Sequence, residues 1–537
     1  MITRFSRGAL PVAVTAALLA GCTSSTGSGD AARGTSSRGG AAAPTRPVTP
    51  ASEATPGPAP TAAVDPALRP FYGQRIDWAP CADGPKSDAV DEPVIQCGTL
   101  KVPLDYANPA DDTLDVAVVR NPAGKRDQRI GSLLVNPGGP GGSGVDMIRN
   151  DPGQFDGPLH DRFDTIGFDP RGVGLTTAVN CLDDKDRDAW VTADAPGAER
   201  GKVLADACQA KYAKVLPFIG TRNTARDMDV LRAVVGDEKL NYLGLSYGTY
   251  LGSLYAEEFP DRVGRLVLDG AVDPSVPLVQ QNIEQYAEFE RALQAFAAYC
   301  AEQDQCPLGR DQAAAADKLA DFLDGLKQKP LTTASGRDLT ANAGWAGVID
   351  SLYGDEKARD SLRDDLGLAM ARGEGDNLLA RADGYNHRDS EGHYDVSADA
   401  YAAIHCADGD AGAPTGEALR AAYAEMAAGA PLISRHDPSL ALFDPDCRAW
   451  PFRPAERPGP ITTTSGATIV VVGSTGDTVT PYAWAENLTA QLGKAVLLTR
   501  EGEGHTAYSR SACIRASVDT FLTDGIPPAA GTRCLTD

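Results

Sequence analysis

Ser246 stands in Gly244-Leu-Ser-Tyr-Gly248, a G-x-S-x-G pattern behind the apolar run Asn241–Leu245 and ahead of a helix-like segment, Thr249 to Phe259. Small neighbours permit a sharp strand-to-helix turn that lifts the hydroxyl to the rim of a sheet, above a helix N-terminus. A serine hydroxyl is a weak nucleophile near neutral pH, so it needs a base, and the base needs an orienting acid. Ser, then Asp or Glu, then His, each on a turn after a strand, predicts acyl transfer through a covalent serine ester. Asp477, closing Ala467-Thr-Ile-Val-Val-Val-Gly-Ser-Thr-Gly-Asp477, and His505, behind the run Ala495 to Leu498, keep that order and placement. Of the six histidines, only His505 follows a strand through a glycine near the C-terminus. His405 is the competing base, in a helix-rich stretch with no strand before it. Asp269 is the alternative acid, and Asp477 could instead cap the helix that follows it.

The apolar strand Ser132–Asn136 runs into Pro137-Gly-Gly-Pro-Gly-Gly-Ser-Gly144, whose glycines leave backbone N–H groups free of side-chain cover. Such donors suit an oxyanion, with Gly139 and Tyr247, the residue after the nucleophile, as the expected pair. A phosphate loop or a plain turn would also be glycine-rich, but the Lys-Ser/Thr ending of a phosphate loop is missing. In Asp169-Pro-Arg-Gly-Val-Gly174, Arg171 has the donors to lock several carbonyls of neighbouring loops, or else to touch substrate.

These turns must be carried by strands. Half-exposed alternation marks Thr99–Leu104 and Leu114–Val119, and apolar runs mark Ser132–Asn136, Phe163–Asp169, Arg265–Asp269 and Ala467–Val472. Helical faces fall between them, as in Asn223–Arg232 with Ala225, Met228 and Leu231 on one side. From about 273 to 455 the chain turns Ala-rich, charged and helix-like. The expected fold is α/β, a doubly wound, mostly parallel sheet (71–272 and 456–537) with a mainly helical lid inserted over 273–455.

Ahead of the sheet, Arg4 and Arg7 precede an apolar run too short to span a bilayer, which predicts a signal peptide over 1–22. It ends Leu19-Ala-Gly-Cys22, like a bacterial lipobox in which Cys22 would be lipidated; ordinary secretion is the alternative. Residues 23–70, largely Ala, Gly, Pro, Ser and Thr, predict a disordered tether. Eleven cysteines less Cys22 leave an even set for an oxidising compartment. Pairing sequence neighbours predicts Cys81–Cys97, Cys181–Cys208, Cys300–Cys306, Cys406–Cys447 and Cys513–Cys534. The net charge of -23 argues against a nucleic-acid partner and leaves the lipid anchor as the expected tie to a membrane. Scarce histidines and the lack of a C-x-x-C pair argue against a zinc site.

Taken together, the elbow, Pro137-Gly-Gly-Pro-Gly141, Asp169-Pro-Arg-Gly-Val-Gly174, Gly476-Asp477 and Gly504-His505 resemble the α/β-hydrolase peptidases related to prolyl iminopeptidase, above all the exported actinobacterial tripeptidyl aminopeptidases. The resemblance spans roughly 71–537. It departs at Asn136-Pro137, where prolyl iminopeptidases carry His, which leaves the main-chain donors intact but weakens any transfer of proline specificity. It implies a cofactor-free serine exopeptidase that removes short peptides, tripeptides above all, from free N-termini. Such an enzyme must recognise an α-ammonium with a carboxylate, and Asp408 and Asp410 in the lid are the expected partners. A hydrolase of carboxylic esters or cell-envelope lipids, and a non-catalytic binding lipoprotein on the same scaffold, are the competing readings. An intact Ser246, Asp477 and His505 counts against the second. The oligomeric state has no signal in the sequence.

Overall fold

Strands β1 (Ala79–Pro80), β2 (Gln96–Pro103), β3 (Thr113–Asn121), β4 (Gly131–Asn136), β5 (Phe163–Phe168), β6 (Leu240–Leu245) and β7 (Val263–Asp269) build the first part of the chain. A hairpin, β8 (Leu331–Thr332) and β9 (Asp338–Leu339), sits among the later helices, and β10 (Ile469–Gly476), β11 (Ala495–Glu503) and β12 (Arg533–Cys534) close the fold. The computed structural model describes residues 64–82, 95–192, 197–409, 415–436, 447–452 and 459–535. Cys22, the leader around it, Asp410 and the tether as far as residue 63 lie outside the described residues.

All strands but β8 and β9 join one ten-stranded sheet, ordered β1-β2-β3-β5-β4-β6-β7-β10-β11-β12. It is antiparallel from β1 to the β3–β5 pair and parallel from β5 to β12. β4 and β5 are buried at every position, as parallel strands covered by helices on both faces must be. Successive residues feed opposite cores. Leu134, Tyr242, Leu268 and Val471 pack with Met228, Leu251 and Leu488, while Val135, Leu243, Val267 and Val472 pack with Ile148, Ile514 and Phe521.

Between β7 and β10 the described chain runs through helices Leu278–Glu302, Gln312–Gly325, Ala341–Leu352, Glu356–Arg372, Asp376–Tyr385, Ser397–Asp408, Gly416–Gly429 and Pro431–His436. They bury a core of their own around Phe289, Phe296, Trp345 and Leu366. This is the helical insert expected from the sequence. Two differences stand out. Residues 66–70, assigned to the tether, already fold as a 3₁₀ turn (Pro66–Leu68) and the start of a short helix (Arg69–Tyr72), because Phe71 is buried and Tyr72 donates to Asp229. Helices Asp184–Thr192 and Gly197–Tyr212, inside the stretch assigned to the sheet domain, share a cluster with the lid, in which Leu204 and Cys208 meet Ala403, Ile404 and Trp450.

All five expected disulfides are formed. Arg171, fully buried, acts as the loop lock. Its guanidinium grips Asp227 at 2.6 and 2.8 Å and donates to the carbonyls of Pro103 and Leu104, both at 2.6 Å.

Candidate active site

The strand order settles where the chemistry-bearing turns meet. β6, β7, β10 and β11 are consecutive parallel neighbours, so the turns leaving their C-terminal ends emerge along one edge. Ser246 follows β6, Asp477 follows β10 and His505 follows β11.

Ser246 has φ 56° and ψ -125°, a strained region for a side-chain-bearing residue, and is the residue before the first turn of helix Tyr247–Glu258. Gly244 makes the turn possible: a Cβ there would stand 2.4 Å from the Gly248 carbonyl and 2.5 Å from the Tyr242 ring. The Ser246 N–H is anchored on the Asp269 carbonyl at 2.8 Å. The residue after that anchor lies against His505, since a Cβ on Gly270 would lie 3.2 Å from His505 Cε1.

His505 Nδ1 bonds Asp477 Oδ1 at 2.9 Å and Oδ2 at 3.0 Å, with both side chains buried. Burial opposes the Asp477 charge, but the imidazole and the N–H groups of Val479 and Thr480 outweigh it and hold the carboxyl below its usual range. Thr480 Oγ1 donates to Asp477 Oδ2 at 3.0 Å. With Nδ1 engaged, Nε2 is the ring nitrogen left over, buried and without a hydrogen-bond partner among the described residues. It is not hydrogen-bonded to Ser246 Oγ. Asp269, the alternative acid, accepts instead from the N–H groups of Ala507 (3.0 Å) and Tyr508 (2.8 Å). His405, the alternative base, stacks on Tyr401 in the lid.

The glycine loop lies against the elbow. Gly138 has φ 91°, and a Cβ on it would stand 2.8 Å from Ser246 Cβ and 3.2 Å from the Tyr247 nitrogen. The Gly138 N–H is taken by Asn136 Oδ1 at 3.0 Å and that of Gly142 by the Gly138 carbonyl at 3.1 Å. The Gly139 N–H has no acceptor among the described residues. Tyr247, as a first helical residue, has no intrahelical acceptor for its own. Two free main-chain donors therefore belong to the segments flanking the serine, which suits a developing oxyanion.

Asp408 does not stand open. Its Oδ1 accepts from the Thr221 N–H at 2.7 Å and its Oδ2 from the Thr221 hydroxyl, which also bonds Tyr247 OH. It caps the helix Thr221–Val234, although burial pushes its carboxyl up to about 6. Sequence reasoning missed Thr480, whose only signal is its place three residues after Asp477. It also missed Tyr353, whose ring meets His505 edge-on with centroids 6.1 Å apart and whose carbonyl accepts the His505 N–H at 3.2 Å. Nothing local in the sequence ties a lid tyrosine to that histidine.

A parallel sheet covered on both faces, an elbow serine and a His–Asp pair on the next turns of one edge define an α/β-hydrolase. Residues 438–534 match the family model described as TAP-like protein. Serine protease Hip1 of Mycobacterium tuberculosis is 35% identical over 87% of this chain and 92% of its own length. Carboxylesterase B of the same species is 36% identical over 87% and 91%. Tripeptidyl aminopeptidase of Streptomyces lividans is 31% identical over 86% of both chains. The chain belongs to the α/β-hydrolase family that includes Hip1 and the tripeptidyl aminopeptidases, and it is a hydrolase of that family.

Proposed function

We propose that this protein is an exported serine exopeptidase that releases short peptides, tripeptides above all, from free N-termini. The observation that carries the reading is the buried Asp477–His505 pair beside a strained serine, with the second imidazole nitrogen left unpartnered. In the proposed cycle, His505 Nε2 takes the proton of Ser246 as its oxygen attacks the scissile carbonyl. Gly139 and Tyr247 N–H groups hold the oxyanion, and His505 returns the proton to the leaving amine. Water, deprotonated by the same nitrogen, then cleaves the acyl-enzyme. Asp477 keeps Nδ1 protonated and offsets the charge that forms on the ring. The similarity to tripeptidyl aminopeptidase supports the exopeptidase reading, and the five disulfides support export, with Cys22 as the proposed lipid anchor.

The similarity to carboxylesterase B favours a second reading, an ester hydrolase using the same residues. Mass spectrometry of peptide digests, together with rates on unblocked and N-acetylated tripeptidyl p-nitroanilides and a p-nitrophenyl ester, separates the two. An exopeptidase releases N-terminal tripeptides and loses most of its rate on acetylation, whereas indifference to acetylation with fast ester turnover supports the esterase. Ser246→Ala should cut turnover by roughly 10⁴-fold or more in either case. A Ser246→Ala enzyme that kept its rate would refute both.

A further inference from the structure

With Asp408 engaged on Thr221, the aminopeptidase reading lacks a partner for the substrate's ammonium, and the lid supplies another carboxylate. We propose that Asp350 is the anchor for the α-ammonium of the substrate, beside the rings of Tyr353 and Tyr385. This inference rests on the exopeptidase reading and specifies its substrate pocket.

Asp350 lies in the last turn of helix Ala341–Leu352, the end whose exposed carbonyls favour a cation. That end is fastened to the catalytic turns: Thr478 Oγ1 donates to the Leu352 carbonyl at 3.2 Å and the His505 N–H to the Tyr353 carbonyl at 3.2 Å. Tyr353 therefore stands between Asp350 and His505, its ring 6.1 Å from the imidazole and 6.3 Å from the ring of Tyr385. Asp350 and Tyr353 lie three residues apart at the helix end, close enough in sequence for their side chains to be neighbours. Burial first, and then neighbouring charges that include Asp350, raise the titration of Tyr353 and Tyr385.

Its carboxylate accepts no hydrogen bond and forms no ion pair among the described residues. The basic groups that act on it, Arg381 and His387, have carboxylates of their own. Arg381 Nε bonds Asp365 at 2.7 Å, and His387 Nδ1 bonds Asp395 at 3.1 Å. Burial pushes the Asp350 carboxyl up to about 6. Yet Asp350, Tyr353 and Tyr385 are each only partly buried, so all three keep accessible surface. A half-buried, unpaired anion near aromatic rings favours a cation from outside, and ring faces add attraction for an ammonium.

The test compares kcat and KM for Ala-Ala-Ala-p-nitroanilide and its N-acetyl form in the full-length wild type, Asp350→Asn and Asp350→Glu. Fluorophosphonate labelling of Ser246 counts the folded active sites. In the wild type the unblocked substrate is strongly preferred. In Asp350→Asn that preference falls about 10- to 100-fold, the loss expected for one charge-assisted bond, mainly through KM, and Asp350→Glu restores part of it. Equal losses on both substrates, or an unchanged preference, would overturn the assignment and leave the exopeptidase reading standing. A wild type indifferent to acetylation removes the reading and the anchor together. Should Asp350→Asn fail to fold, Asp350→Glu and Asp350→Ser carry the same comparison.

Discussion

At the end of β7, the Asp269 carbonyl holds the Ser246 N–H at 2.8 Å while its carboxylate holds the N–H groups of Ala507 and Tyr508. One residue, through its main chain on one side and its side chain on the other, thereby ties the turn of Ser246 to the loop of His505. The cost is visible in its titration: burial pushes the carboxyl up to about 6, only partly offset by the two N–H donors. Asparagine at 269 keeps the volume, but an NH₂ group then replaces one of the two oxygens that share the Ala507 N–H at 3.0 Å, setting donor against donor. A buried donor left poorly satisfied costs about 1–3 kcal/mol, so Asp269→Asn should lower the melting temperature. A displaced base should also cut kcat by about 10- to 100-fold with little change in KM. A variant that melts lower but turns over at the wild-type rate would reduce Asp269 to a structural role. The places of Ser246, Asp477 and His505 on turns after strands were legible in the sequence, because each follows an apolar run through small residues. The work of Asp269 was not, since it is defined by two N–H groups more than two hundred positions away.

Helix Ser397–Asp408 is the element through which the lid meets the glycine loop, as a Cβ on Gly141 would lie 2.5 Å from the Ser397 carbonyl. Its first turn carries Asp399, almost fully buried, which pairs with the equally buried Arg187 and accepts the Cys181 N–H at 2.8 Å. The helix is thus tied to segment 181–187 of the first half of the chain. Sequence periodicity placed the longer parallel strands, because buried strands read as apolar runs, and missed the two-residue edge strand β12. It failed for helix Asp184–Thr192, where Asp-Lys-Asp-Arg-Asp shows no apolar stripe and the stabilising contact is a buried ion pair with a residue two hundred positions on. Asp399→Ala strands the Arg187 charge in the interior, which typically costs about 3–5 kcal/mol. Denaturant unfolding should show that loss in the midpoint, and limited proteolysis should cut first near 181–212. An unchanged midpoint would mean that the pair holds nothing together.

Across the whole molecule, the same burial that builds the site loads the fold with reluctant anions. Asp269, Asp350 and Asp408 are each pushed up to about 6, against an ordinary aspartate near 4. Over that interval the folded chain binds more protons than the unfolded one, so stability falls as pH rises from about 4 to about 6 and stays lowered above it. Asp477 and Asp395 act oppositely. Against burial, His505 holds the first below its usual range and His387 holds the second down to about 2, so their stabilisation is present at neutral pH and fades in acid below about 4. The two sets place the stability maximum well on the acid side of neutrality, at about pH 4, where the second set is still ionised and the first has not yet lost its protons. The net charge of -23 pushes the same way, since protonation relieves repulsion across the surface. Salt tells the contributions apart, because surface repulsion is screened while buried carboxylates are not. Melting temperatures between pH 8 and 5 should rise by several degrees on acidification in low salt, and most of the rise should survive 0.5 M sodium chloride. Asp269→Asn and Asp350→Asn should each flatten the curve. A rise that vanishes in high salt would assign the whole effect to the surface and none to the buried aspartates around the site.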